Sequence, residues 1–186
     1  MRHAIRALAL LAVAVVAPFD AFAATLLFVD VPGIPGDSTF EATKDQIQGL
    51  SYDFGISPLK ASKYGQAGVC APGQSKPVFS EFCVKKFADV ATPKLFVAAA
   101  TATQFPLVTV GIYKLVQGSP EPVVRYRLSN AVISSMHAGG DTAADRPTEQ
   151  VCFRFNRAEV TTTTQGEGGK PVSETAGFDA CQSAPF

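Results

Sequence analysis

Apolar and polar residues alternate along several stretches of this chain. In one of them, Val124, Tyr126 and Leu128 alternate with Arg125 and Arg127. Successive side chains of a strand point to opposite faces, so this period of two predicts a strand with one buried face and one basic, solvated face. Similar alternation, or runs of β-branched and aromatic residues, predicts six further strands at 25–31, 47–56, 78–87, 107–116, 151–164 (with a bulge near 156–157) and 173–181.

One segment predicts a helix instead, at about residues 93–104. Thr92 is a suitable N-cap, and Pro93 suits the first turn because the N–H that it lacks has no partner there in any helix. The apolar residues at helical spacing are Leu95, Ala98, Ala99 and Ala102. We therefore expect a mainly β fold, a small antiparallel β-barrel of six or seven strands with one short flanking α-helix. A β-sandwich is the alternative.

The start of the chain has the pattern of a secretory signal peptide. Two arginines precede an apolar run at 7–17, and a small-x-small cleavage pattern follows at 21–23. The run is shorter than a helix needs to span a bilayer. We expect 1–23 to be a signal peptide and 24–186 to be a single domain that is periplasmic or secreted, without a membrane anchor after cleavage.

Charge excludes one class of partner. The 186 residues carry 16 basic and 16 acidic side chains, so the formal net charge is zero. A general nucleic-acid binder carries a basic surface, and we expect no nucleic-acid partner. The pairs Lys85-Lys86 and Arg125/Arg127 are expected to form a solvated face or ion pairs between subunits.

The chain has four cysteines, and all of them follow the predicted signal peptide. An even number in an oxidising compartment predicts two disulfides. Among the three possible pairings we favour Cys70–Cys83 and Cys152–Cys181, because each joins cysteines that are close in sequence. Zinc is the alternative, and the sequence disfavours it because there is no C-x-x-C and only one histidine follows residue 23. No metal is expected.

Catalytic motifs are weak. His137 is the only histidine of the predicted mature chain, and Ser134, Ser135 and Asp141 are its neighbours in sequence only. A triad is defined by spatial roles, and no G-x-S-x-G occurs. We therefore expect His137 to be a solvated loop residue. The isolated carboxylates that we expect to be solvated are Asp30, Asp37, Asp45 and Asp53. The glycine-rich stretch 166–170 lacks the spacing of a phosphate loop and is predicted to be a hairpin turn. No catalytic residue, enzyme activity or cofactor is expected.

Several motifs in a shared order resemble one family. Residues 28–39 (FVDVPGIPGDST) resemble a D-I-P-G-I-x-G-E-S start, and 47–55 resemble the strand that follows it. Residues 85–96 (KKFADVATPKLF) resemble a K-x-x-D-x-A-S-P-x-L run into a helix. Residues 128–135 resemble L-x-x-V-x-V-S-S, and 147–149 begin a match to P-x-E-x-x-x-x-x-Y. This family is Hcp, the haemolysin-coregulated protein of the type VI secretion system.

The resemblance implies a fold and a function. It implies a small β-barrel with one helix, subunits that associate side by side into hexameric rings, and rings that stack into a secretion tube. It implies no cofactor and no active site. We therefore expect a non-enzymatic Hcp-like structural protein, exported and ring- or tube-forming. Its partners would be itself and secretion-system components or effectors. The alternative is a secreted monomeric β-barrel binding module whose loops 58–77 and 137–147 form a ligand rim.

Overall fold

The computed structural model describes residues 25–60, 76–140 and 145–186, with the side chains of 58–60 and 76–78 excepted. The strands in chain order are β1 (Thr25–Asp30), β2 (Ile47–Asp53), β3 (Ile56–Lys60), β4 (Lys76–Phe79), β5 (Phe82–Phe87), β6 (Gln104–Val116), β7 (Ser119–Gly139), β8 (Thr148–Arg154), β9 (Arg157–Gln165), β10 (Pro171–Asp179) and β11 (Ala184–Pro185). A single α-helix in the described ranges, α1 (Thr92–Ala100), lies between β5 and β6.

Six antiparallel strands close into a barrel. Their order is β7-β6-β1-β2-β5-β8, and pairing of β8 with β7 completes the circle. All six pairings are antiparallel. Closure leaves these strands without the open edge that a flat sheet would have. The predicted β-barrel is therefore confirmed, and it has six strands.

The long strand β7 belongs both to the barrel and to a sheet beyond it. Its later residues, Val132–Gly139, pair with β8, whereas its middle, Val124–Ser129, pairs with β9. The sheet continues from β9 to β10 and β11. Strands β3 and β4 form a separate two-stranded sheet.

The barrel interior is filled by one face of each strand. The alternation of β7 predicts this face correctly, since Leu128 is buried while Arg125 and Arg127 are exposed. The fully buried large side chains on this face include Phe82, Phe153, Val84, Val108, Val110, Leu128 and Val151. They come from four different strands, so burial of apolar area holds the closed sheet together.

The helix is shorter than expected. It begins at Thr92 and ends at Ala100, and Ala102 has a left-handed φ of 50° beyond its end. Thr92 is the first helical residue and not the N-cap; Ala91 precedes it without a side-chain capping bond. Leu95 and Ala98 are buried, as the spacing predicts.

Three predicted strands are each divided into two. The stretch 47–56 is divided into β2 and the start of β3, and the stretch 78–87 is divided between β4 and β5. The bulge expected near 156–157 is a break in the strand. There β8 ends at Arg154, and β9 starts at Arg157 as part of the sheet outside the barrel.

Candidate functional site

Among the described residues, the catalytic candidates form no hydrogen-bonded group. His137 lies in β7, where it is exposed and pairs with Gln150, so the loop expected to start at 137 begins later. Ser134 lies in the same strand and donates its hydroxyl hydrogen to the Cys152 carbonyl oxygen at 3.1 Å. Asp141 lies outside the described residues. The four carboxylates discussed above are exposed, as expected: Asp30, Asp37, Asp45 and Asp53.

The predicted disulfide pairing is wrong. Cys83 and Cys152 are bonded to each other, at a sequence separation of 69. They are directly opposite each other on the paired strands β5 and β8, a relationship that sequence proximity does not reveal. Cys181 is also in a disulfide, whereas Cys70 lies outside the described residues.

These cysteines are also two members of the one group of potential metal ligands among the described residues. Glu81, Cys83 and Cys152 offer ligand atoms within 4.8 Å of one another. The two sulfurs are already bonded to each other, and Glu81 forms an ion pair with Arg154 at 2.8 Å. A thiolate is needed to bind zinc, so this group does not fit a metal in its disulfide form.

The pair Lys85-Lys86 does not form one solvated face. Lys85 is exposed, but Lys86 is only 1% exposed and lies inside the barrel wall. Its ammonium is 2.9 Å from both Asp89 Oδ1 and Glu149 Oε2. Lys86 lies two residues after the buried Val84 in β5 and so on the same face of the strand, and this period of two is the signal that the sequence offered for its burial.

The two loops of the alternative ligand rim are interrupted by strands. Residues 58–60 belong to β3, 76–77 to β4 and 137–139 to β7, while 61–75 and 141–144 lie outside the described residues. Strand β3 follows β2 at one end of the barrel, and β7 finishes at the other end. The described flanks of the two loops therefore lie at opposite ends, which does not support a single rim.

One end of the barrel, the helix end, is where β1, β5 and β7 finish and β6 begins. Helix α1 connects β5 to β6 there. It buries Leu95 but leaves Phe96 65% exposed and Val97 58% exposed. Pro93 is also exposed and lies one turn before them on the helix surface. We call Pro93, Phe96 and Val97 the helix ridge.

The other end, where β2 and β8 finish and β5 begins, is aromatic. Phe54 packs against Phe79, Phe82, Tyr126 and Phe155 with ring centroids between 5.2 and 6.1 Å apart. Between this cluster and the sheet β9–β10, the described residues leave a cleft of about 470 Å³. We call it the aromatic cleft; its apolar lining includes Phe54, Phe79, Tyr126, Val160, Ala176 and Phe178.

The cleft contains one perturbed titratable group. Burial raises the pKa of the Tyr126 phenol above its usual value, and a hydrogen bond with Tyr52 raises it further. An apolar environment favours the protonated, neutral phenol, because water is not there to solvate the charge of the ionised oxygen. This group supports no general acid–base chemistry near neutral pH.

The family assignment agrees with this fold. The family described as "Type VI secretion system effector, Hcp" matches residues 28–162, which is most of the described barrel. The chain belongs to the Hcp family. Hcp proteins are structural components of the type VI secretion tube and not enzymes.

Solved Hcp structures have the same fold. A structure titled as a type six secretion system protein is 23% identical, has a TM-score of 0.73, and covers 88% of this chain and 100% of its own. Hcp1 from Salmonella typhimurium is 21% identical with a TM-score of 0.72, over 88% of this chain and 99% of its own. A type VI secretion system effector from Yersinia pestis is 20% identical with a TM-score of 0.62, and the match covers 82% of this chain and 98% of its own.

The comparison with curated proteins found no significant match to this sequence. In the described part of the chain, no helix has the length and apolarity needed to cross a membrane. The predicted signal peptide at 1–23 lies outside the described residues.

Proposed function

We propose that this Hcp-family protein works as a homo-oligomeric ring, hexameric as its family resemblance implies, in or beside a type VI secretion system. The closed barrel with an apolar surface at each end is the observation that carries the proposal. A ring is built from a heterologous contact, which requires one surface on each side of the subunit. The helix ridge and the aromatic cleft supply two such surfaces.

The proposal is tested on the full chain expressed in a Gram-negative host. Light scattering of the purified protein should give a mass of six protomers, and negative-stain microscopy should show annular particles. A strictly monomeric protein at high concentration would refute self-assembly. Rings with a different number of subunits would refute the hexamer but not the self-assembly into rings.

We also propose that the chain is exported, with residues 1–23 removed as a signal peptide. The support is the sequence pattern together with the cross-strand disulfide Cys83–Cys152, because disulfides persist in oxidising compartments. The intact mass of protein from the periplasmic fraction should lack residues 1–23. Full-length protein found only in the cytoplasm would contradict export.

The remaining cysteines are part of this proposal. Cys83 and Cys152 are bonded to each other, so Cys70 is the cysteine left in the sequence as a partner for Cys181. We propose the pair Cys70–Cys181. Peptide mapping without reduction should recover that pair together with Cys83–Cys152. A free thiol at Cys70 in periplasmic protein would exclude it.

A further inference from the structure

We propose that the ring contact is head-to-tail, with the helix ridge of one copy inserted into the aromatic cleft of the next copy. This inference rests on the proposed function, namely that the chain assembles with itself. It goes further because it states that these two surfaces bind each other in one contact, and it names the residues that carry that contact. The occupant of the cleft is thus a second copy of this chain.

The two surfaces lie where a head-to-tail contact requires them. The helix ridge is on α1, at the end where β5 finishes and β6 begins. The aromatic cleft is at the end where β2 finishes and β5 begins. Because they occupy opposite ends of one closed barrel, each copy can give its ridge to one neighbour and its cleft to another. Contacts of this kind form rings when the rotation between copies closes.

The helix ridge has the character of an interface anchor. Phe96 is 65% exposed and Val97 58% exposed, although the opposite side of the same helix is buried through Leu95 and Ala98. Large apolar side chains that are adjacent and exposed mark interaction sites more often than isolated ones do. An aromatic side chain that enters a pocket is the typical centre of binding energy in an interface.

The aromatic cleft is suited to receive such a side chain. Its volume is about 470 Å³, and its lining includes the rings of Phe54, Phe79 and Phe178. Small side chains line it as well. Ala158 is paired directly opposite Phe178, and Ala176 lies two residues before Phe178, so both share its face of the β9–β10 sheet and leave space beside its ring. An aromatic ring inserted here would contact the edges and faces of these rings and the small side chains beside them.

Charge complements the apolar contact. Lys94 is exposed beside the ridge, and its ammonium has only the Gly33 carbonyl oxygen, at 3.5 Å, as a partner among the described residues. Glu174 is exposed two residues before Ala176 in β10, so it projects on the same face of the strand as that cleft residue. Within the described ranges Glu174 forms no ion pair. Opposite charges beside the two surfaces favour this register over its reverse.

The test uses two single variants of the full chain and a matched control. Phe96→Glu removes the anchor, and Ala176→Trp fills the cleft at an exposed position. Each should raise the midpoint concentration of assembly by on the order of 30-fold or more, the effect of losing a central anchor. Leu50→Glu introduces the same charge at another exposed apolar position, on the barrel wall, and should leave assembly unchanged. Circular dichroism and thermal unfolding of each variant check that the barrel is folded.

Mixing the two variants distinguishes this contact from any other. The Phe96→Glu protein keeps its cleft, and the Ala176→Trp protein keeps its ridge. At a concentration above the wild-type midpoint and below the midpoints of the variants, an equimolar mixture should therefore form complexes of two copies, whereas neither variant alone should assemble. The charge reversals Lys94→Glu and Glu174→Lys should each weaken assembly, and the double reversal should restore it.

The failures of the two proposals are separable. If the wild type forms rings and both single variants keep them, this inference is wrong and the proposed ring stands. If the wild type is monomeric, both are wrong. Anilinonaphthalene sulfonate should bind the Phe96→Glu monomer, and the added Ala176→Trp change should abolish that binding. A monomer that does not bind the dye has a cleft already covered by its own chain, which would also overturn the inference.

Discussion

Lys86 and Glu149 form a buried ion pair between two neighbouring barrel strands. The ammonium of Lys86 is 2.9 Å from Glu149 Oε2, and the two residues are directly opposite each other on β5 and β8. Asp89 lies at the same distance from the ammonium, and the hydroxyl of Thr92 donates a hydrogen bond to Glu149 at 2.9 Å. The pair therefore connects the barrel wall to the first residue of α1, the element that carries the helix ridge.

We predict that Lys86→Met lowers the free energy of unfolding by about 3–5 kcal/mol, because it leaves two buried carboxylates without their cation. The adjacent exposed Lys85 provides the control, and Lys85→Met should change stability by no more than about 0.5 kcal/mol. Denaturant unfolding of both variants gives the measurement. Equal stability of the two would show that the buried pair contributes nothing.

The Cys83–Cys152 disulfide should stabilise the barrel strongly. It closes a loop with a sequence separation of 69, for which the chain-entropy treatment gives about 4 kcal/mol. Replacing both cysteines with alanine should lower the free energy of unfolding by about 2–5 kcal/mol. Both proteins are unfolded with and without reductant. Reductant should lower the stability of the wild type by breaking this bond, and it cannot act through this bond in the variant. A wild-type stability that does not exceed that of the variant would contradict the prediction.

Tyr126 should make stability depend on pH in the alkaline range. The folded state raises the pKa of this phenol, so it holds the proton more tightly than the unfolded chain does. Its contribution is fully present below the ordinary tyrosine pKa of about 10 and is lost as pH rises through the folded pKa. The stability difference between wild type and Tyr126→Phe should therefore shift against the wild type above about pH 10. A difference that is constant across this range would refute the shift.

Gly36 should not tolerate a side chain. A Cβ at this position would lie 2.5 Å from the Gln46 carbonyl oxygen and 2.5 Å from the Ile47 Cα, which are backbone atoms that cannot rotate away. Gly36→Ala should destabilise the protein by about 1–3 kcal/mol through overpacking. At Gly139 a Cβ meets nothing within 4 Å, so Gly139→Ala serves as the control in thermal unfolding. Similar melting of the two variants would count against this contact.

Local patterns predicted much of the chain correctly. The alternation of Tyr126 and Leu128 with Arg127 identified both the strand and its buried face, because the direction of a side chain in a strand depends only on its position along that strand. The helix was predicted for a similar reason, from the spacing of Leu95 and Ala98. Its end was not, since residues beyond Ala100 have no feature in the sequence that marks the left-handed turn at Ala102.

Strand neighbours determine three features of this protein: the disulfide, the buried lysine and the aromatic cleft. Cys83 bonds to Cys152, and Lys86 pairs with Glu149, because β5 and β8 lie side by side in the closed barrel. The aromatic cleft joins Phe54 and Phe178, which are far apart in sequence. The sequence by itself determined which segments are strands and which face of each is apolar, since those properties are local. Only the tertiary structure decided the partners, because strand order depends on the free energy of the whole packed barrel.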